Sequence, residues 1–113
     1  MVNIDAVKFG ELEIDGKIYY SDMTVWWDGK IEFRKKSHVF DMPEFKKVLK
    51  RKPDSIVIGT GLAGIVKVPD DVREIAKIKK IKIFVDTSSK AIDIFNGLAK
   101  IGKKAVAIIH TTC

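Results

Sequence analysis

The stretch from Ser55 to Gly64 constrains the fold more than any other part of the sequence. It contains Ile56–Ile58, and a short uninterrupted apolar run of this kind is typical of a strand that is covered on both faces. A sharp turn through several glycines follows. Two further apolar runs, at residues 81–85 and 105–109, come later in the chain, with helical patterns between them. Because strands that alternate with helices pair in parallel through right-handed crossovers, this half predicts a parallel β-α-β-α-β unit.

The segments between these strands predict helices. Residues 69–80 begin with a proline and two acids, which favour a helix start. Residues 88–100 place apolar side chains at helical spacing after the capping candidates in Asp86–Ser88. An earlier helix is predicted after Asp41 and before Pro53.

The first part of the chain predicts antiparallel strands. Asp15-Gly16 and Asp28-Gly29 each separate two strand-like runs, which is a strong hairpin signal. The predicted fold class is therefore α/β with a mixed sheet. Residues 1–36 form an antiparallel β-meander and residues 37–113 form the α/β part. A chain of 113 residues suffices for a single domain with one core.

The second hairpin contains two adjacent tryptophans. A two-residue loop would pair Trp26 with Ile31 and place Trp26 in the core. In the same register, Val25 and Trp27 face the other way, and an exposed tryptophan beside a valine predicts an interface. A three-residue loop would exchange the two faces.

The glycines after the first parallel strand match a dinucleotide-binding spacing. Gly59, Gly61 and Gly64 fit G-x-G-x-x-G, and Asp86 stands near the end of the next strand, where that motif has its ribose-binding acid. In such sites, however, a helix begins within the glycines, whereas here the β-branched run Ile65–Val68 follows. We therefore interpret the glycines as a structural turn and expect no cofactor. A small-ligand site and a true dinucleotide site remain as alternatives.

The carboxyl ends of the parallel strands form the candidate ligand site. Ligands of open α/β sheets bind beyond these ends, where hydroxyl, amide and imidazole side chains are found here. The N-terminus of the third helix favours an anion, and a histidine adds a proton below about pH 6.5. The site is predicted to bind a small polar or anionic molecule. The candidate residues are Gly59, Thr60, Gly61, Thr87, Ser88, Asn96 and His110.

No residue is predicted to be catalytic or to bind a metal. His110 and Cys113 lie near each other in the sequence, but a metal site needs three or four ligands, and the other histidine, His38, is expected in an unrelated loop. No nucleophile and base are identified as a pair.

The net charge of +6 favours acidic partners, including nucleic acid. Most lysines cluster at predicted helix ends, where they complement the helix dipole, so tight nucleic-acid binding is not expected. No apolar run approaches the ~20 residues that cross a bilayer. The N-terminus lacks the pattern of a signal peptide. The predicted location is the cytoplasm.

Several short motifs occur along nearly the whole chain. In order, they are Phe9-Gly10, Ile58-Gly59-Thr60-Gly61, Val68-Pro69, Asp86-Thr87 with Ala91, and Phe95-Asn96-Gly97-Leu98, followed by a final apolar strand. In this order and spacing they resemble the small Mth-type domain family, which includes adipogenesis-associated Mth-domain proteins and mitochondrial complex I assembly factor 3-like proteins. Where many members have tyrosine before the asparagine of the last motif, this chain has Phe95.

The resemblance implies a three-layer α/β domain with a β-rich attachment, and a binding or assembly role without established catalysis. The expected partner is an unidentified protein, with a homo-oligomer as an alternative. A nucleotide- or metabolite-binding enzyme that uses the glycine turn and a basic nucleic-acid-binding domain remain as alternatives. A lysine- and isoleucine-rich, glutamine-free composition also suggests a thermophilic source.

Overall fold

The computed structural model describes all 113 residues, which form eight strands and three helices. The predicted α/β class is confirmed. The elements in chain order are β1 (Ile4–Lys8), β2 (Glu11–Ile14), β3 (Lys17–Tyr19), β4 (Asp22–Trp26), β5 (Ile31–Arg34), α1 (Met42–Leu49), β6 (Ser55–Gly59), α2 (Asp70–Ile78), β7 (Lys82–Asp86), α3 (Ser88–Lys100) and β8 (Ala105–Ile109).

The main sheet has five strands in the order β5-β4-β8-β6-β7. Strand β6 pairs in parallel with both β8 and β7, as predicted, whereas β4 pairs antiparallel with β8 and with β5. Strands β1, β2 and β3 form a separate antiparallel sheet. The predicted continuous meander is therefore divided, because β4 and β5 leave it to extend the parallel strands. The boundary at residue 36 does not separate two structural units.

Apolar layers cover both faces of the main sheet. On one face, the small sheet and α3 pack against the sheet, with Leu12, Phe95 and Val57 among the buried side chains. On the other face, α1 and α2 enclose a second cluster that includes Phe45 and Val72. This double burial leaves every residue of β6 and β8 buried, and it explains why both strands are predominantly apolar.

The β4–β5 hairpin has a three-residue loop, so the two-residue expectation was wrong. The Trp26 N–H donates to the Lys30 carbonyl at 2.9 Å, and Val25 pairs with Ile31. Val25 is consequently buried against the small sheet and α3, and it is not available as an interface residue. Trp26 is buried on the opposite face, and Trp27 is half-buried beside it.

The helix starts follow their sequence signals to different degrees. The Asp41 carboxylate accepts a hydrogen bond from the Glu44 N–H at 3.0 Å and caps α1. Thr87 precedes α3 but makes no side-chain cap bond, contrary to the expected capping role. No helix is long and apolar enough to cross a bilayer.

Candidate functional site

Strand ends and one strand start meet at a single edge of the main sheet. Gly59 pairs with both Asp86 and Ile109, so the three parallel strands end side by side. Strand β4 runs antiparallel to β8 and begins at this edge, which brings Asp22 close to the residues that follow Ile109. Asp22 is not among the site residues predicted from the sequence.

The Asp22 carboxylate forms the centre of a buried polar network. Its Oδ2 lies 2.6 Å from His110 Nδ1 and accepts a hydrogen bond from Arg34 Nη1 at 3.1 Å. Its Oδ1 accepts from the backbone N–H and the hydroxyl of Thr111, at 3.0 Å and 3.1 Å. The Asp22 and His110 side chains are fully buried. Several donors thus compensate a buried carboxylate that would otherwise be strongly unfavourable.

Arg34 connects this network to α1. Its Nε and Nη2 donate to the two carboxylate oxygens of Glu44 at 2.7 Å and 3.1 Å, which is a bidentate pair. It also donates to the carbonyls of Ser37 and Val39. Arg34 therefore holds β5, the loop after it and the start of α1 in one arrangement. Asp22 and Arg34 are paired across the β4–β5 hairpin, and this pairing could have predicted their contact from the sequence. It occurs only in the register set by the three-residue loop, whereas the sequence predicted a two-residue loop.

His110 continues the network toward the surface. Since Nδ1 faces a carboxylate, it holds the proton in the neutral form of the ring, and Nε2 is then an acceptor. The Thr112 hydroxyl lies 3.2 Å from Nε2, and it donates to Nε2 when the ring is in this tautomer. The ring of the exposed His38 meets the His110 ring edge-on, with centroids 5.3 Å apart.

The glycine turn packs against the C-terminal residues. Gly61 has a φ of +102°, and a Cβ there would overlap the carbonyl group of Cys113 and crowd the His110 ring. The N–H groups of Leu62 and Ala63 donate to the carbonyls of Thr112 and Cys113, each at 2.8 Å. As predicted, no helix starts within the glycines, and α2 begins only at Asp70.

Most predicted ligand residues lie together at this edge, but their polar groups bond to the protein. Thr60 Oγ1 donates to the Asp86 carbonyl at 2.9 Å. Ser88 Oγ accepts from the Gly61 N–H at 2.9 Å and donates to the His110 carbonyl at 2.5 Å. Ligand binding at this edge stays a prediction, and any ligand there would have to displace these bonds.

Asn96 lies away from the other predicted ligand residues. Its side chain accepts from the Ile4 N–H and donates to the Ile4 carbonyl, both at 2.8 Å. These two bonds attach β1 to α3. The amide bonds to both backbone groups of Ile4, as a neighbouring strand would.

An open cleft of about 490 Å³ lies next to the buried network, between the β4–β5 hairpin and α1. Three exposed lysines, Lys35, Lys36 and Lys47, line it, and none of them forms an ion pair. Strand β5 is the outermost strand on this side, so its outer backbone edge has no strand partner.

The acidic residues of the cleft are already engaged. Glu32 accepts a hydrogen bond from the Trp26 indole at 2.6 Å, Glu44 is paired with Arg34, and Asp41 caps α1. The Glu32 and Asp41 carboxylates keep their negative charge, so four cationic side chains face three carboxylates in the cleft, and the three lysines are the cations without an ion-pair partner.

Two carboxyl groups outside these sites have shifted pKa values. Hydrogen bonds from the Gly16 N–H and the Asn3 amide lower the pKa of Asp5. A hydrogen bond from the Arg51 guanidinium lowers the pKa of Asp28. No group of three or more His, Cys, Asp or Glu side chains is arranged to hold a metal ion.

Residues 4–110 match the profile of the family described as "Protein of unknown function (DUF498/DUF598)". The chain belongs to the DUF498/DUF598 family. A conserved hypothetical protein from Pyrococcus horikoshii OT3 has a similar structure, with 28% identity and a TM-score of 0.86, over 98% of this chain and 99% of the other.

A second solved structure, of a protein called MT938, matches the full length of both chains at 28% identity with a TM-score of 0.83. A Mth938-like domain from Bordetella pertussis shares the fold at 12% identity, with a TM-score of 0.70, over 96% of this chain and 85% of the other. These matches confirm the resemblance to the Mth-type domain family.

Proposed function

We propose that this DUF498/DUF598 protein is a protein-binding module, in keeping with the assembly role expected from the Mth-type resemblance. The cleft beside β5 is its binding surface, and the occupant is an acidic, extended segment of a partner protein. The observation that carries this proposal is the position of three lysines without ion-pair partners beside the open edge of a strand.

The open strand edge supports an extended occupant. An outermost strand presents unpaired N–H and C=O groups along one side, and an extended peptide can add to it as a further strand. Phe33 on β5 is 75% exposed and offers an apolar contact to such a segment.

The charges support an acidic occupant. Lys35, Lys36 and Lys47 have no ion-pair partner in the protein. Each carboxylate of the cleft, in contrast, accepts a hydrogen bond from another group of the protein. A carboxylate-rich segment would complement the lysines and would be attracted over a longer range by the net charge of +6. A second copy of this chain fits less well, because it carries the same excess of positive charge.

The binding test uses a fluorescent peptide of alternating glutamate and valine, titrated by anisotropy at several salt concentrations. Binding should weaken as salt rises. The double variant Lys35→Glu with Lys36→Glu should weaken it about tenfold or more, equivalent to about 1.4 kcal/mol. The matched control, Lys103→Glu with Lys104→Glu, makes the same charge change between α3 and β8 and should have little effect.

A second peptide with alternate backbone nitrogens methylated keeps all charges but loses the N–H groups that strand pairing needs. It should bind much more weakly than the parent peptide. The proposal would be overturned if the two peptides bound equally well or if both double variants lost the same affinity for the parent peptide. Tighter binding of an oligonucleotide of matched charge would also overturn it.

A further inference from the structure

Asp22, His110 and Thr112 are connected in series by hydrogen bonds. The carboxylate lies 2.6 Å from Nδ1 of the imidazole, and Nε2 lies 3.2 Å from the Thr112 hydroxyl. With the proton on Nδ1, Nε2 is free to take a proton from the hydroxyl. A carboxylate that orients an imidazole toward a hydroxyl is the arrangement that activates nucleophiles in acyl transfer.

The two inner members of this series have fixed positions. Both side chains are fully buried, and Arg34 and Thr111 donate further hydrogen bonds to the carboxylate. The carboxylate therefore cannot rotate away from His110 without losing several bonds. Thr112, in contrast, is only half-buried, so it is the most exposed member of the series.

The glycine turn holds the residue that carries this hydroxyl. The Leu62 N–H donates to the Thr112 carbonyl, and the Ala63 N–H donates to the next carbonyl, of Cys113. Only glycine at position 61 permits this close approach. The N–H of Cys113 has no hydrogen-bond partner in the protein. The N–H that follows a nucleophile is a common donor to the oxyanion of acyl transfer.

We propose that the Thr112 hydroxyl is a nucleophile that accepts an acyl group from an activated ester. His110 is the base, and Asp22 is a positioning residue that fixes the imidazole. This inference is independent of the peptide-binding cleft.

The step is balanced without an oxidant or a reductant. Thr112 Oγ1 forms a bond to the carbonyl carbon of the donor, and its proton passes to His110 Nε2. The bond from that carbon to the leaving oxygen breaks, and the leaving alkoxide takes the proton from His110. The products are the Thr112 ester and a free alcohol.

The test uses p-nitrophenyl acetate as the donor and locates acetyl groups by peptide mass spectrometry. It is done in a Cys113→Ala background, because the exposed thiol would compete. Alkaline hydroxylamine removes acetyl groups from hydroxyl esters but leaves the acetyl amides of lysine, so the two classes are separable in the same sample. We expect a hydroxylamine-labile acetyl group on Thr112.

Variants at the reacting residues test the assignment. Thr112→Ser should retain the labile acetyl group and Thr112→Val should lose it. His110→Gln should slow acetylation of Thr112 by about 100-fold or more, the usual effect of removing a general base. Ser89→Ala, which removes an exposed hydroxyl that has no histidine partner, should leave acetylation of Thr112 unchanged.

The role of Asp22 is tested by Asp22→Asn. This change should slow acetylation of Thr112 while acetylation of the lysines in the same sample stays constant, a difference that general loosening of the fold would not produce. Circular dichroism establishes which variants are folded. If His110→Gln does not fold, the acetylation rates of Thr112 and Ser89 in the parent protein test the proposal instead, and Thr112 should be acetylated faster. Equal rates there, or an undiminished Thr112 rate in folded His110→Gln, would overturn the proposal.

Discussion

The guanidinium carbon of Arg51 lies 4.4 Å from the centroid of the Trp26 ring and 5.0 Å from that of Trp27. The two indoles meet edge-on, with centroids 5.9 Å apart, and Arg51 also binds Asp28 in the hairpin loop. One arginine just past the end of α1 therefore holds the β4–β5 hairpin through stacking and an ion pair.

Arg51→Ala should lower the free energy of unfolding by about 1–2 kcal/mol, because it removes the cation–π contacts and the packing of the arginine stem. Urea denaturation followed by tryptophan fluorescence measures this loss. Lys50→Ala is the control, since the adjacent lysine is exposed and forms no ion pair. Equal losses in the two variants would contradict a specific role for Arg51.

The Asp28–Arg51 pair should make stability depend on pH in the acidic range. The Arg51 hydrogen bond lowers the pKa of Asp28 in the folded protein. The stabilisation from this pair is therefore fully present above the pKa of aspartate in the unfolded chain, which is about 3.9. This stabilisation is lost as the pH falls through the lower pKa that Asp28 has in the folded protein. Asp28→Asn should be less stable than the parent protein at neutral pH, and the difference should shrink below about pH 4. A difference that stayed constant down to acidic pH would show that the pair is not responsible.

The two tryptophans should differ in their effect on stability. Trp26 is 3% exposed in the core beneath α1, so Trp26→Ala should cost about 3–5 kcal/mol. Trp27 is half-buried, and Trp27→Ala should cost distinctly less. Chemical denaturation of both variants makes the comparison, and a larger loss in Trp27→Ala would contradict the hairpin register described here.

Two glycines should respond in opposite ways to alanine. At Gly61, positive φ and the overlap with Cys113 should make Gly61→Ala destabilising by more than about 1 kcal/mol. At Gly97, inside α3, a Cβ meets nothing within 4 Å, so Gly97→Ala should stabilise by about 0.5–1 kcal/mol. Thermal unfolding distinguishes the two outcomes, and a neutral Gly61→Ala would show that the C-terminal residues do not pack closely on the turn.

Local sequence signals were sufficient for the parts of the fold that depend on neighbouring residues. Apolar runs, helix starts and Asp-Gly turns report on interactions within a few residues, so the strands from β6 onward and all three helices lie close to their predicted positions. The β-branched run after the glycines correctly excluded a helix there. The hairpin register was harder, because it depends on a single residue of loop length.

The polar network depended on the tertiary structure alone. Asp22 and His110 are 88 residues apart in the chain, and they meet only because β4 leaves the meander to pair with β8. No local pattern encodes that pairing. Asn96 shows the same limit, since its amide binds a strand 92 residues away instead of a ligand. Short-range patterns determine which elements form, whereas the burial of both sheet faces decides which of their polar side chains come into contact.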